Sequence, residues 1–266
     1  MTNRLDEIIN HKHNEVEQLK IMLTQKPQHK INQLMQGKLT VQSTKNFKQA
    51  LIKPQLAVIA EIKRKSPSEG EFDKIVDPVK LANTYIAGGA DAISILTDQR
   101  FFGGHLDDLI QIAQAAQDNA VPLLRKEFVI DEVQIAEAII SGANAVLLIV
   151  AALGNKTKDL LNLVKQYGID ALVEINNQEE LDIAINSGAE IIGVNNRNLK
   201  TFIVDTNRSF NLISAIPKNI IKVAASGILD PTVAQKYKAV GYDAVLIGEA
   251  LVKSKNPADF IKECKR

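Results

Sequence analysis

The sequence is poor in the residues that build disulfides and metal sites. It has one cysteine, Cys264, and four histidines in 266 residues. One cysteine forms no intrachain disulfide and supplies no thiolate cluster, which fits a reducing cytoplasm. His11 and His13 are two residues apart on a predicted helix, so they do not share a face. None of the histidines stands at a ligand spacing from the carboxylates considered below, and we therefore expect no metal site.

An excess of charge of either sign is also missing, as are long apolar runs. Lys and Arg number 32 against 31 Asp and Glu, so the balance carries no electrostatic signature of nucleic-acid or membrane-surface binding. The longest apolar run, Ala145 to Leu153, is too short to span a bilayer. The first twenty residues place charges in every turn, and we expect no secretory signal. With 45% apolar residues, the chain can bury the core of one large globular domain.

The dominant pattern is a repeat. A glycine followed by a small or aromatic residue and then a polar one closes a helix-like stretch four times, and an apolar run follows each time. A glycine in that place is typical of a helix C-terminus, because it adopts the left-handed conformation without a Cβ clash. A further apolar run lies midway between each of these glycine positions and the next. The four glycines are Gly89, Gly142, Gly188 and Gly241.

Counting the apolar runs predicts eight strands, separated by amphipathic segments. Their Val, Ile, Leu and Ala content indicates strands buried on both faces, as in a parallel sheet. Eight β-α units in about 250 residues favour a (β/α)8 TIM barrel of the α/β class over an open doubly wound sheet. We expect residues 1–45 to form a helical extension packed on a barrel of residues 46–266. The predicted strands are 57–63, 92–97, 121–127, 145–150, 171–175, 191–195, 221–226 and 244–248.

Several predicted strands end in charged or amide side chains. In the first strand Glu61 and Lys63 share a face, because strand side chains alternate with period two. Active sites of (β/α)8 barrels lie at these carboxyl ends. A charge there can also simply begin a solvated loop, and Glu61 and Lys63 also fit a structural ion pair. The other polar ends are Arg125, Lys126 and Glu127, then Glu174 and Asn176, then Asn195, Asn196 and Arg197, and finally Ser226.

Glu174 stands out because it lies inside an apolar strand, between Val173 and Ile175. An unpaired buried carboxylate is costly, so a partner is expected. Lys126, two strands away around the barrel, is the candidate, and its own pKa would then be perturbed. We therefore interpret Glu174 as functional.

Glycine follows each of the last two predicted strands, at Gly227 and at Gly248. The loops after strands seven and eight, with a short helix N-terminus, form the phosphate site of many barrels of this kind. Helix-strand packing also selects glycine at such positions, so one glycine would be weak evidence. The two together favour a phosphorylated ligand.

The successive strand ends resemble the motifs of the indole-3-glycerol phosphate synthase family, in order and in spacing from the first strand to the eighth. The resemblance implies a cofactor-free, cytoplasmic and monomeric (β/α)8 carboxy-lyase of tryptophan biosynthesis. Such an enzyme closes the indole ring of 1-(2-carboxyphenylamino)-1-deoxyribulose 5-phosphate with loss of CO2 and water. The motifs are AEIKRKSPSEG at 60–70, SILTD at 94–98, LRKEF at 124–128, GANAVLLIV at 142–150, VEIN at 173–176, GVNNRNL at 193–199 and ASGI at 225–228.

The resemblance also implies roles for individual residues. Lys126 matches the general-acid lysine, and Glu61 and Glu174 match the two principal catalytic glutamates. The remaining roles are pairing with the substrate carboxylate and delivering protons (Lys63), orienting by hydrogen bonds (Asn195, Ser226), packing on the aromatic ring (Phe128, Leu199), contributing positive charge (Arg197) and holding the phosphate (Ser66, Gly227, Gly248 and the Glu249 amide). The extension is expected to close over the barrel mouth.

Two positions depart from the family's usual motifs. Ala225 stands where a glutamate is usual, which puts the charge balance beside Ser226 in doubt. Glu127 replaces an aspartate, and we expect its side chain to point away from Lys126. Two alternative functions stay open: another sugar-phosphate barrel such as phosphoribosylanthranilate isomerase, and a catalytically silent phospholigand-binding barrel. The latter would have no reason to keep Lys126, Glu61 and Glu174 together.

Overall fold

The computed structural model describes residues 3–43, 45–66, 70–71, 77–117 and 119–266. Eight of its strands are parallel and close into a barrel, and two short ones pair as an antiparallel hairpin. The strands are β1 (Ala57–Ile62), β2 (Lys65–Ser66), β3 (Gly70–Glu71), β4 (Ala92–Leu96), β5 (Leu123–Lys126), β6 (Ala145–Ile149), β7 (Asp170–Ile175), β8 (Ile191–Asn195), β9 (Ile221–Ala225) and β10 (Ala244–Ile247).

The barrel strands follow one another around the barrel in sequence order, and β1 pairs with both β4 and β10 to close it. The predicted (β/α)8 barrel is therefore confirmed, and the open doubly wound sheet was wrong. Every predicted barrel strand is present, with its ends shifted by two residues at most. The β2-β3 hairpin was not predicted, because two-residue strands leave no periodic pattern in the sequence.

Helices alternate with the barrel strands. They are α1 (Arg4–Gln25), α2 (Lys30–Met35), α3 (Phe47–Leu51), α4 (Pro78–Ala87), α5 (Gln99–Phe102), α6 (Leu106–Ala115), α7 (Glu132–Ile140), α8 (Val150–Leu153), α9 (Thr157–Gln166), α10 (Gln178–Asn186), α11 (Asn207–Leu212), α12 (Pro231–Val240), α13 (Glu249–Lys253) and α14 (Pro257–Cys264). The four repeat glycines all have positive φ, from 79° to 105°, which confirms them as helix C-terminal residues. Over the described residues, none of these helices combines the length and the apolar character that crossing a membrane requires.

Because side chains alternate along each strand, the core has two layers, and the same alternation decides which polar strand ends point to the barrel axis. Along β1, Val58 and Ala60 pack in the layer between strands and helices, whereas Ala57 and Ile59 pack inside the barrel. Glu61 continues the inward series, so it points to the barrel axis at the carboxyl end. The same parity directs Lys126 inward after Leu124, and Glu174 inward after Leu172.

The N-terminal helices run from one end of the barrel to the other. Leu5 and Ile8 of α1 are buried with side chains of the barrel interior. Helix α2 packs on α7, and α3 lies at the opposite end, where the amide of Lys48 donates to Asp170 at the start of β7. Helices α1 and α2 of the extension, and helix α3 just after it, thus all contact the barrel domain. The domain boundary at residue 45 stays a prediction.

A glycine in the turn after α5 shows how tightly the carboxyl end is packed. A Cβ on Gly104 would lie 2.2 Å from the carbonyl oxygen of Leu96, whereas a Cβ on Gly37 would have nothing within 4 Å. We expect Gly104→Ala to lower the free energy of unfolding by about 3 kcal/mol through overpacking. Gly37→Ala, the control, should cost about 1 kcal/mol, for its positive φ alone. Urea unfolding measures both, and equal losses would contradict the clash.

Candidate active site

A cleft opens at the carboxyl ends of the barrel strands. It encloses about 820 Å³, open solvent included, and joins a charged centre to an apolar wall. Eleven of the thirteen residues predicted for the site line this cleft: Glu61, Lys63, Lys126, Phe128, Glu174, Asn195, Arg197, Leu199, Ser226, Gly248 and Glu249. Gly227 lies between Ser226 and Ile228, which both line the cleft. Ser66 pairs with Gly70 in the hairpin, and its side chain lies outside the described part of the chain.

The centre of the cleft is a lysine between two buried glutamates. The Nζ of Lys126 lies 3.5 Å from Oε2 of Glu61 and 3.9 Å from Oε2 of Glu174. Lys63 reaches Oε1 of Glu61 at 3.5 Å. All three distances exceed the usual N–H···O length, so the ammonium groups are held by charge and can still donate to a further oxygen. The partner that the sequence required for Glu174 is therefore present.

The charged groups of this centre stabilise one another's ionised forms. Burial raises the pKa of the Glu61 carboxyl, but Lys126 and Lys63 outweigh it and hold that pKa below its usual value. Burial lowers the pKa of the Lys126 ammonium, but Glu61 and Glu174 outweigh it and hold that pKa above its usual value. Lys126 is therefore a charged donor at neutral pH, in a site where water competes little for its protons.

Asparagine side chains orient Glu174. Asn195 donates to Oε1 of Glu174 at 2.9 Å and accepts from the backbone amide of Arg197 at 2.9 Å. Asn176, which follows β7, donates to the carbonyl oxygen of Asn195 at 2.7 Å. The carboxylate of Glu174 is thus held on one side by an amide, and its Oε2 faces Lys126.

The cleft has one apolar wall. Phe128 follows β5, and its ring lies 6.0 Å from that of Phe102, centroid to centroid. Leu199 also lines the cleft, from the loop after β8, where Phe202 is buried. This apolar lining would suit the ring of an aromatic ligand. Phe102 and Phe202 were not predicted, because a four-residue helix and a loop leave no periodic pattern in the sequence.

The loop after β9 has an unusual backbone. Ser226 and Gly227 both have positive φ, 68° and 75°. A non-glycine residue in that region is strained, and two adjacent left-handed residues need external support. The side chain of Asn196 supplies it by donating to the carbonyl oxygen of Ser226 at 3.0 Å. Asn196 was among the polar strand ends but was not assigned to the site.

Gly248 packs directly on a catalytic candidate. A Cβ there would lie 2.5 Å from Oε1 of Glu61, so any residue larger than glycine would displace that carboxylate from its present position. Ala225 is buried in the cleft, at the position where the family's usual motif has a glutamate.

The described residues contain no group of three or more His, Cys, Asp or Glu side chains that could hold a metal ion.

Fold and cleft together define an enzyme of the (β/α)8 class, whose cleft has a lysine between two glutamates at its centre. The model of the family described as indole-3-glycerol phosphate synthase matches residues 5–264. The chain belongs to the indole-3-glycerol phosphate synthase family.

Relatives that carry this family name match along almost the whole chain. The indole-3-glycerol phosphate synthase of Thermoanaerobacter pseudethanolicus is 44% identical over 266 residues, which cover 98% of each chain. That of Bacteroides thetaiotaomicron is 41% identical over 98% of this chain and 97% of its own.

Solved structures with other activities share the fold alone. Thiamine phosphate pyrophosphorylase from Pyrococcus furiosus is similar with a TM-score of 0.59 at 15% identity, over 82% of this chain and 96% of its own. The 3-hexulose-6-phosphate synthase of Salmonella typhimurium also has a TM-score of 0.59, at 13% identity, over 79% and 97% of the two chains.

The charged centre predicts how stability depends on pH. The pKa of Glu61 is lower in the folded state than in the unfolded state. Ionised Glu61 therefore adds to the free energy of unfolding above its unfolded-state pKa, and this stabilisation is lost as pH falls through its folded-state pKa. Lys126→Met removes the strongest cation, so burial should raise the pKa of Glu61. We expect the variant to lose about 3 kcal/mol of unfolding free energy at pH 8. The deficit should narrow towards pH 5.

Urea unfolding across that pH range measures the deficit. The double variant Lys126→Met/Glu61→Gln, which removes the ion pair whole, should regain part of the loss at pH 8. A deficit that is independent of pH would show that the two groups do not interact.

Proposed function

We propose that this chain closes the indole ring of 1-(2-carboxyphenylamino)-1-deoxyribulose 5-phosphate, with release of CO2 and water. Family membership supports the activity, and the observation that carries the mechanism is the Lys126 ammonium between Glu61 and Glu174. The reaction needs an acid for a carbonyl oxygen and a base for a carbon-bound proton. A cation between two carboxylates, in a cleft with an apolar wall, meets both needs.

The first step is ring closure. The aromatic carbon that bears the carboxylate attacks the ribulose carbonyl carbon, a carbon-carbon bond forms, and the carbonyl oxygen takes a proton from Lys126. The raised pKa of Lys126 keeps that proton available at neutral pH. The bond to the carboxylate then breaks, CO2 leaves, and its electron pair restores the aromatic ring.

Dehydration completes the indole. The new hydroxyl group leaves as water after protonation, for which Lys63 beside Glu61 is the donor in this proposal. Glu174 removes the proton from the adjacent carbon, and that electron pair forms the indole double bond. The hydrogen bond from Asn195 holds the Glu174 carboxylate in place for this transfer.

Substrate binding uses the two sides of the cleft. In this proposal Lys63 and Arg197 face the anthranilate carboxylate, and Phe128 and Leu199 enclose its ring. The phosphate lies at the other end, near Ser66, Gly227, Gly248 and the backbone amide of Glu249. The left-handed backbone at Ser226 and Gly227 supports this placement, because adjacent residues of that kind can turn amides toward an anion.

The proposal extends to the oligomeric state, cellular location and binding partners of the enzyme. We expect a monomer of the cytoplasm that binds no nucleic acid. A nearly balanced charge of 32 basic against 31 acidic residues supports the last expectation.

The activity is tested by following indole formation from the carboxyphenylamino-deoxyribulose phosphate, with a metal chelator present. We expect turnover by the wild type and a fall in kcat of about 1000-fold in Lys126→Met, because the general acid is lost. Lys48→Met is the control, since Lys48 pairs with Glu190 on the outside of the barrel. Substrate binding without turnover by the wild type would favour a silent phospholigand-binding barrel instead.

A second test concerns the missing glutamate. The substrate carries a carboxylate and a phosphate, and Ala225 adds no further negative charge to the cleft. We expect Ala225→Glu, which restores the family's usual residue, to raise KM only about threefold, because the added carboxylate repels the anionic substrate but shares the cleft with Lys63, Lys126 and Arg197. The neutral variant Ala225→Gln, of similar size, should raise KM less. Equal increases in the two variants would assign the effect to size rather than charge.

A further inference from the structure

One buried cation lies beside the cleft and has no part in the mechanism above. Lys12, on the N-terminal helix α1, is 1% exposed. Its Nζ lies 2.7 Å from Oδ2 of Asp98 and 3.0 Å from Oε1 of Glu127, and it also bonds Glu15 of its own helix at 2.6 Å. The extension therefore inserts an ammonium group between the carboxylates that follow β4 and β5.

The first of these carboxylates supports one aromatic side of the cleft. Oδ1 of Asp98 accepts from the backbone amides of Phe101 and Phe102, at 2.7 and 3.0 Å, and so begins helix α5. Phe102 lines the cleft and lies against Phe128. Fixing the Asp98 carboxylate thus fixes the position of Phe102.

The second carboxylate belongs to the residue between Lys126 and Phe128. Oε1 of Glu127 accepts from the amide of Phe128 at 2.9 Å, and its Oε2 accepts from the hydroxyl of Thr97 at 2.7 Å. Its carboxylate binds Lys12 and Thr97 rather than Lys126, and it thus points away from Lys126 as strand alternation predicted. Lys12 therefore holds the segment that presents both the general-acid candidate and the aromatic wall.

We infer that Lys12 is a positioning residue for the active site. It ties the loops after β4 and β5 to helix α1, and through them it sets the places of Phe102, Lys126 and Phe128. The inference rests on the proposed function for its activity readout. Through Lys12, the extension would contribute to catalysis as well as to packing.

Charge makes this position hard to replace. Burial raises the pKa of the Glu127 carboxyl, but Lys12 and Arg125 outweigh it and hold that pKa below its usual value. Without Lys12, two buried carboxylates would face each other across a cavity, and one would take up a proton or draw away from the other. In the structure, Lys12 also lines a small cavity between α1 and the loops after β4 and β5. The titratable groups at or beside that cavity are Lys12, Glu15, Asp98, His105, Arg125, Glu127 and Glu137.

The test compares two lysines of α1. Lys12→Met should lower kcat about 100-fold, because the general acid is misplaced, and should raise KM about threefold, because Phe128 is displaced from the substrate ring. The acid limb of its kcat profile should move to higher pH as the pKa of Glu127 rises. Lys20→Met is the matched control, since Lys20 joins α1 to the barrel through Asp131, outside the cleft. It should keep the wild-type kcat and pH profile.

The double variant Lys12→Met/Glu127→Gln separates positioning from charge neutralisation. Removing the second carboxylate should restore kcat to about tenfold below the wild type, not fully, because the anchor is still missing. A folded Lys12→Met with wild-type kcat, or an equal loss in Lys20→Met, overturns the inference. If Lys12→Met does not fold, the double variant decides, and wild-type kcat in it overturns the inference.

Amide hydrogen exchange gives a readout that needs no turnover. The amides of Phe101, Phe102 and Phe128 bond the two carboxylates that Lys12 holds, so their exchange should accelerate in the double variant but not in Lys20→Met. Unchanged exchange would overturn the positioning role. An inactive wild type would overturn the proposed function alone, and exchange would still decide on Lys12.

Discussion

The ammonium of Lys126 between two buried carboxylates is the interaction around which the cleft is organised. Burial alone would raise the pKa of Glu61 and lower that of Lys126, and the opposite charges beside them reverse both shifts. The surrounding structure accommodates the three charges: Gly248 leaves room for Glu61, and Asn195 orients Glu174. Burying these three charges costs desolvation free energy that their mutual attraction offsets, and such a buried charged group in a cleft is typical of a functional site.

The barrel makes such a centre possible because its strands are parallel and closed. Each carboxyl end opens onto the same mouth, so inward residues of β1, β5 and β7 meet there although they are far apart in sequence. Helix α1 adds a second charge cluster beside the first, with Lys12 between Asp98 and Glu127. The two clusters are joined through the adjacent residues Lys126 and Glu127. At the mouth of the barrel, ion pairs among strand residues therefore lie next to ion pairs between the barrel and helix α1.

Much of this could be read from the sequence because it depends on local rules. Apolar runs and helix-ending glycines predicted the eight strands, and the period of two placed Glu61 and Lys63 on one face. The burial of Glu174 required a cation, and Lys126 was the candidate that the structure places beside it. The family motifs named most of the residues that line the cleft. Ser66 lies beyond what the described side chains can test.

Other features depended on contacts between distant segments. The cavity lined by Lys12, the aromatic wall of Phe102 and Phe202, and the support of Ser226 by Asn196 were not predicted. A lysine in a charged helix has the same sequence pattern whether it faces water or two carboxylates. By itself the sequence determined the order of strands and which side chains face inward, because alternation and helix ends are local. Only the closed tertiary structure decided which charges meet, because that depends on distances across the barrel and across α1.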